Sequence, residues 1–230
     1  MLGLGNTITT GVALEDPFTW IPTDVARLAV WHRNNTNVAV GQWDDSSGNE
    51  NHAVQGTSGN QAAVSDGGLH FDGSNDYYEY SSTIDLASGD SHTIAIVYNL
   101  DSTSVKSTIW SKDANNHFIE FFDADTVRFN YSGSQTSLSG GTHTAGSTRN
   151  MIITRKGSDG SHKLYEGSST VVATTTQTGA AVLQNLGVRN DNDRWFDGKI
   201  YEIMIWDNVE FSGTNLDNLI QYINNVTDSI

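Results

Sequence analysis

The stretch FDGSNDYYEY, residues 71–80, crowds two aspartates, an asparagine, a glycine and a serine into one short turn, with aromatic residues close behind. Three readings of it stand open: a metal site, half of a catalytic carboxylate pair, or a hairpin within a sheet. The hairpin reading has a sufficient physical basis. Gly73 tolerates a positive φ, and the side chains of Asp72 and Asn75 are short enough to bond nearby backbone amides. On either side, GLHFDG and DYYEYS read as two strands.

Working outward, the same texture repeats. RLAVWH (27–32), HTIAIVYNL (92–100), STIWSK, HFIEFFD, TVRFNYS, NMIITRK, HKLYEG, STVVATT and KIYEIMIW follow one another, separated by Gly, Asn, Asp and Ser. In residues 92–100, Thr93, Ala95, Val97 and Asn99 alternate with Ile94, Ile96, Tyr98 and Leu100. Many short β-branched and aromatic runs between turn residues predict an antiparallel sandwich or barrel. The stretches KGSDGSHK (156–163) and LSGGTH (138–143) read as hairpin connections. One segment breaks the pattern. In residues 212–226, Leu216, Leu219, Ile220 and Ile223 fall at i, i+3, i+4 and i+7, one face of a helix that Ser212 or Thr214 is placed to cap. It is expected to cover one edge or end of the sandwich.

Composition agrees. The chain has 230 residues, 37% of them apolar and 17% charged, with eight Tyr, eight Phe and six Trp to build a core. That length suits one large β domain. The absence of cysteine excludes disulfides and thiolate metal sites. Twelve basic residues against 27 acidic ones give a formal charge of −15, which argues against nucleic acid and anionic lipid as partners. No stretch approaches the roughly 18 apolar residues of a membrane span. The opening MLGLGNTITTG lacks the basic and apolar segments of a secretory signal, and the expectation is a chain made in a cytoplasm.

Residues 1–23 differ from the rest. Leu2, Leu4, Ile8, Val12, Leu14, Phe18, Trp20 and Ile21 occur there with little alternation. They form either a strap across the domain's own core or an arm that docks on a partner chain. Residues 24–230 read as one compact domain.

The order of segments carries a resemblance. LAVWHRNN is followed by VGQWDDSSGNENHAVQ, then GGLHFDGSNDYYEY, then HTIAIVYNL, and near the end RWFDGKIYEIMIWDNVEFSGTNLDNLIQYI. Over about residues 27–225 this succession resembles the laminin G-like family within the concanavalin A-like jelly rolls. The resemblance implies two packed antiparallel sheets on a jelly-roll path with a short terminal helix. It makes Trp43, Asn49, Asn51 and His52 fixing groups of an irregular loop, and Glu202 a structural anchor within an apolar strand, on a face shared with Ile200, Met204 and Trp206. A carboxylate there needs partners; Arg189, Arg194 or backbone donors are the candidates.

The superfamily includes glycoside hydrolases, whose retaining members hold two carboxylates about 5 Å apart. No single strand offers such a pair. Glu120 and Asp123 are three residues apart and Glu202 and Asp207 five, so each pair is of opposite parity; carboxylates from separate strands remain open. No G-x-S-x-G, H-E-x-x-H or G-x-x-x-x-G-K-[ST] motif is present. The expectation is a non-enzyme. Lectins on this fold often use calcium, for which Asp72, Asn75 and Asp76 are weak candidates, as are Asp44, Asp45 and Asn49, and Asp191, Asn192 and Asp193. No other cofactor is expected.

Laminin G-like jelly rolls occur as adhesion modules and as parts of virus particles. The apolar leading segment, and an opening similar to the starts of tailed-phage structural proteins, favour a virion protein. On this expectation it decorates the capsid, neck or tail and docks through Leu2, Leu4, Ile8, Phe18 and Trp20 on the major capsid protein, another virion protein or a symmetry mate. The alternative is a carbohydrate-binding module with a surface glycan as partner, and a glycoside hydrolase is third.

Overall fold

The structure is a computed structural model that describes residues 18–113, 116–189 and 194–230. Leu2, Leu4 and Ile8 therefore lie outside the described residues, as do Asp191, Asn192 and Asp193.

In chain order the strands are β1 (Leu28–His32), β2 (Val38–Ala39), β3 (Gln42–Trp43), β4 (Ala53–Val54), β5 (Ala63–Ser65), β6 (Gly68–Asp72), β7 (Tyr78–Leu86), β8 (His92–Leu100) and β9 (Ser107–Asp113). They continue as β10 (His117–Phe121), β11 (Thr126–Tyr131), β12 (Ser134–Ser139), β13 (Arg149–Lys156), β14 (Ser161–Tyr165), β15 (Ala173–Thr176), β16 (Ala181–Leu186) and β17 (Asp197–Asp207), followed by helix α1 (Gly213–Asp228). One sheet has the order β15-β14-β13-β8-β17-β6-β5, and the second β12-β11-β10-β9-β16-β7-β4-β3-β2. Beside β17, β6 pairs with its first half and β1 with its second. The pairings are antiparallel. The molecule is a two-sheet antiparallel jelly-roll sandwich with one C-terminal helix; the alternation and turn pattern predict an antiparallel sandwich or barrel, and the resemblance implies the jelly-roll path.

The main core lies between the sheets. Ile94, Ile96, Tyr98 and Leu100 of β8 face Val127, Phe129 and Tyr131 of β11 and Trp110 of β9 across it. Each such side chain contributes about 1.5–3 kcal/mol on full burial. The other parity of β8 is buried too. Ala95 and Val97, with Ile152, Met204 and Trp206, meet Leu216, Leu219, Ile220 and Ile223 of α1. The helix therefore covers the outer face of the eight-stranded sheet rather than an edge or end. The small side chains at 95 and 97 leave room for it. Ser212 sits at the N-cap with an extended backbone but makes no side-chain capping bond.

Two further differences from the sequence reading have simple causes. Residues 138–143 do not close a hairpin: they lead the chain from β12 in one sheet toward β13 in the other, and Gly140 and Gly141 donate to the Asp125 carbonyl on the way. In β17 the register slips between Ile200 and Glu202. This bulge sends Ile200 into the sandwich core, while Tyr201, Met204 and Trp206 face the helix. Ile200 thus does not share the face of Glu202.

The connection after β16 depends on Gly187. It has φ +88°, and a Cβ there would lie 2.4 Å from the Phe71 ring. Gly187→Ala should lower stability by about 2 kcal/mol, from the left-handed backbone and the overpacked ring together, readable in a urea melt.

Four buried histidines set the acid behaviour. His32, His92, His143 and His162 have at most 1% exposure. Desolvation pushes His32, His143 and His162 down to about 4, and His92 well below its ordinary value. The unfolded chain holds each near 6.5, so between pH 6.5 and 4 the unfolded state binds more protons and stability falls as pH falls. Glu202 and Glu166, both raised by burial, act in the opposite sense, losing stability as pH rises through their folded values. The histidines are expected to dominate this window, each contributing on the order of 1–2 kcal/mol by pH 5, because hydrogen bonds to Glu202 and Glu166 oppose their shifts. Melting temperatures should be flat near pH 7–8 and drop steeply toward pH 5; a flat profile to pH 5 would refute this balance.

Candidate functional site

The turn of residues 72–76 closes on itself. Asp72 Oδ1 accepts from the amides of Ser74 (2.9 Å) and Asn75 (3.3 Å), and Asp76 Oδ2 accepts from the Asp72 amide at 3.0 Å. Asn75 donates its side-chain amide to the Gly59 carbonyl and to Asn60 Oδ1. Gly73 takes φ +72°. Burial raises the Asp76 carboxyl above its ordinary value. Among the described residues no group of three or more His, Asp or Glu side chains is arranged to hold a metal ion.

The DSSGNENHA loop seals the free side of β1. Asp45 accepts from the amides of Trp31, Ser47 and Asn51, and Asn49 and Asn51 donate to the Leu28 and Ala29 carbonyls at 2.6 and 2.9 Å. An edge strand with open backbone groups invites foreign strands, and these side chains satisfy them instead. His52 Nδ1 accepts from the Asp45 amide at 3.1 Å, so its 3.6 Å approach to Asp44 is not an ion pair. Trp43 is fully buried and donates to the Arg33 carbonyl at 3.2 Å.

Glu202 is 1% exposed. Its Oε1 accepts from Trp31 Nε1 (2.7 Å) and the Tyr222 hydroxyl (2.6 Å), and its Oε2 from the Asn34 amide (2.9 Å). Burial raises its carboxyl and these bonds oppose the shift. The arginines expected beside it serve elsewhere: Arg194, just before β17, donates from Nη1 to Glu120 of the nine-stranded sheet at 3.0 Å, next to Arg128 Nε at 2.6 Å, and Arg189 lies over the Phe118 ring at 4.6 Å. Glu120, fully buried, and Glu202 occupy different sheets, and each faces away from the sandwich core. Over Glu202, Trp20 packs edge-on against Tyr222 with centroids 5.9 Å apart, and Phe18 lines the same cavity of about 330 Å³. Trp20 thus rests on the domain's own helix, and Phe18 lines the cavity beside it.

A cavity of about 660 Å³ lies beside β1 and β7 and is lined by Asn49, Asn51, Arg27 and Asp207. Arg27 pairs with Asp207, the two asparagines are committed to β1, and among the described residues no aromatic side chain lines it. A second cavity, of about 540 Å³, has different chemistry. Asp72, Ser104, Lys106, Arg194, Trp195 and Asp197 line it, bringing together the 71–80 turn, the β8–β9 connection and the start of β17. Trp195 is partly exposed, its backbone is fixed by a bridge to Val188, and its ring meets Tyr77 at 6.1 Å. Asp72 and Asp197 are directly opposed across the β6–β17 pairing. Burial, then Asp101, raises the Asp197 carboxyl. Two cations and two carboxylates adjoin the indole in this cavity, with Arg194 bonded to Glu120 and Asp72 Oδ1 bonded to the turn amides. Sequence reasoning found Asp72 but missed Trp195 and Asp197. The signal available was RWFDG, an aromatic and an acid adjoining the strand outside its apolar alternation.

No protein-family profile and no curated protein sequence matches the chain. Solved structures do. A sialidase from Trypanosoma rangeli, in complex with 2,3-difluoro-KDN, aligns over 87% of this chain and 33% of its own at 12% identity, with a TM-score of 0.61. Botulinum neurotoxin type C, reported to depend on interaction with two ganglioside molecules, aligns over 87% of this chain and 52% of its own at 13% identity, with a TM-score of 0.59. The chain thus spans a third and about half of these proteins. At such identity the likeness speaks to the fold alone: this chain is a two-sheet jelly-roll β-sandwich.

Proposed function

We propose that the chain is a non-enzymatic glycan-binding module of the laminin G-like kind, and that its binding surface is the Trp195 cavity. The observation that carries this is the partly exposed indole, held by its backbone and ringed by Asp72, Asp197, Lys106 and Arg194. Sugar rings present C–H faces to aromatic planes and hydroxyls to charged side chains, and this cavity supplies both. The fold-level likeness to a sialidase and to a ganglioside-dependent toxin adds an analogy of architecture. A glycan array followed by calorimetry tests the reading: selective, saturable binding supports it, and an array without any selective signal refutes it.

Hydrolysis is the second reading, favoured by the opposed Asp72 and Asp197, whose Cβ atoms stand about 4.5–5.5 Å apart in such cross-strand pairs. Against it, Asp72 is held by two turn amides. Turnover of a bound oligosaccharide that disappears in Asp197→Asn would promote this reading over plain binding.

Within the same proposal, the module is displayed on a tailed-phage virion, held by the segment that includes Leu2, Leu4 and Ile8. The support is the opening sequence and the apolar character of that segment. Copurification with assembled particles at fixed stoichiometry is the expected result; a chain found only in the free fraction would refute this placement.

A further inference from the structure

A further cavity, of about 420 Å³, lies beside Tyr77, lined also by Val54, Glu79 and Ser81. Tyr77 lines it, and Trp195, whose ring meets that of Tyr77, lines the cavity described above. Their rings stand 6.1 Å apart with planes inclined by 51°. Two hydrogen bonds anchor the Tyr77 backbone, its amide to the Asn60 carbonyl at 3.1 Å and its carbonyl from Gln55 Nε2 at 2.9 Å. Glu79 and Val54 are exposed, and because Tyr78 and Tyr80 belong to the core, Glu79 points outward from the nine-stranded sheet.

We infer that the two cavities and the ring pair between them form one extended site for a linear oligosaccharide of at least two residues, rather than a pocket for a single terminal sugar. This rests on the glycan reading above and deepens it. Successive pyranose rings are rotated relative to each other about their glycosidic bond, so two inclined aromatic faces meet two consecutive units better than one flat platform would. The two ends differ in charge. The Trp195 side carries Lys106 and Arg194 with Asp72 and Asp197, while the Tyr77 side carries Glu79 and, among the described residues that line it, no cation. The unit over Tyr77 is therefore a neutral sugar that donates a hydroxyl to Glu79; an anionic unit is repelled there. Binding across both cavities makes the second contact intramolecular, so affinity grows with chain length until the groove is filled.

The test is calorimetry of the full chain with gluco-, N-acetylglucosamino- and galacto-oligosaccharide ladders of one to five units. In at least one ladder, affinity should rise tenfold or more from one unit to three. Tyr77→Ala and, separately, Glu79→Gln should flatten that rise, the affinity for three units falling more than the affinity for one. Glu79 is exposed, so its variant tests the site without a folding penalty, and a thermal melt checks the tyrosine variant. Ladders that bind equally at every length, with binding lost in Trp195→Ala, overturn the extended site and leave the glycan reading standing. A length-dependent rise that survives both variants also overturns it. No binding by any member of the ladders, together with a blank array, overturns both readings.

Discussion

Glu202→Ala should cost the fold roughly 3–5 kcal/mol, the largest stability loss expected from a single side chain here. Three donors converge on this carboxylate: Trp31 Nε1, the Tyr222 hydroxyl and the Asn34 amide. They come from β1, from α1 and from the chain just after β1, so one acceptor ties the helix and two chain segments to the middle of β17. Alanine leaves these donors without their acceptor in a region closed by Trp31, Tyr201 and Met204. An unsatisfied buried donor costs about 1–3 kcal/mol. Glu202→Gln is milder, at about 1–2 kcal/mol. Its carbonyl still accepts from Trp31 and Tyr222, but its amide then opposes the Asn34 N–H. Urea melts of both variants, with near-ultraviolet dichroism to follow the Trp20–Tyr222 contact, check the order; equal losses for both, or none for alanine, would refute the anchoring role.

Trp195→Ala is expected to weaken glycan binding about 30-fold or more, an effect of about 2 kcal/mol typical of a central aromatic anchor. Stability should move far less. The ring is partly exposed, and the bridge to Val188 is made by backbone atoms that alanine retains. Trp195→Phe keeps an aromatic face and should recover much of the loss. Calorimetry against the array's strongest glycan gives the comparison, with a thermal melt to confirm the fold. Unchanged affinity in the alanine variant would place binding elsewhere on the sandwich.

Much of the architecture is legible locally because strands and helices advertise their period. HTIAIVYNL, KIYEIMIW and the Leu216–Ile223 face each specify an element, and Gly73 with Asp72 specifies a turn. The placement of the helix was legible in principle as well. A strand with Ala95 and Val97 opposite Ile94 and Ile96 is apolar on both faces, which requires a cover on each. The partners of Glu202 were not legible. They lie 171, 168 and 20 residues away in sequence, and nothing near residue 202 distinguishes Trp31 and Tyr222 from Arg189 and Arg194. The bulge at Ile200 is equally silent, since one extra residue in a strand leaves no compositional mark. The candidate site suffers from the same long range. Asp72 and Asp197 meet only because β6 pairs with β17, so a search for acids along any one strand passes over them.

The central claim is that the end of the sandwich around Trp195 is a recognition surface. The six tryptophans allow it to be tested within one spectrum, by following indole N–H resonances during a titration with the strongest glycan from the array. Trp43, Trp110 and Trp206 are fully buried and serve as internal references. The account predicts a saturable shift of the Trp195 indole, with the three references still and Trp20 and Trp31 little moved. A saturating glycan that shifts Trp20 or Trp31 and leaves Trp195 unchanged would contradict it.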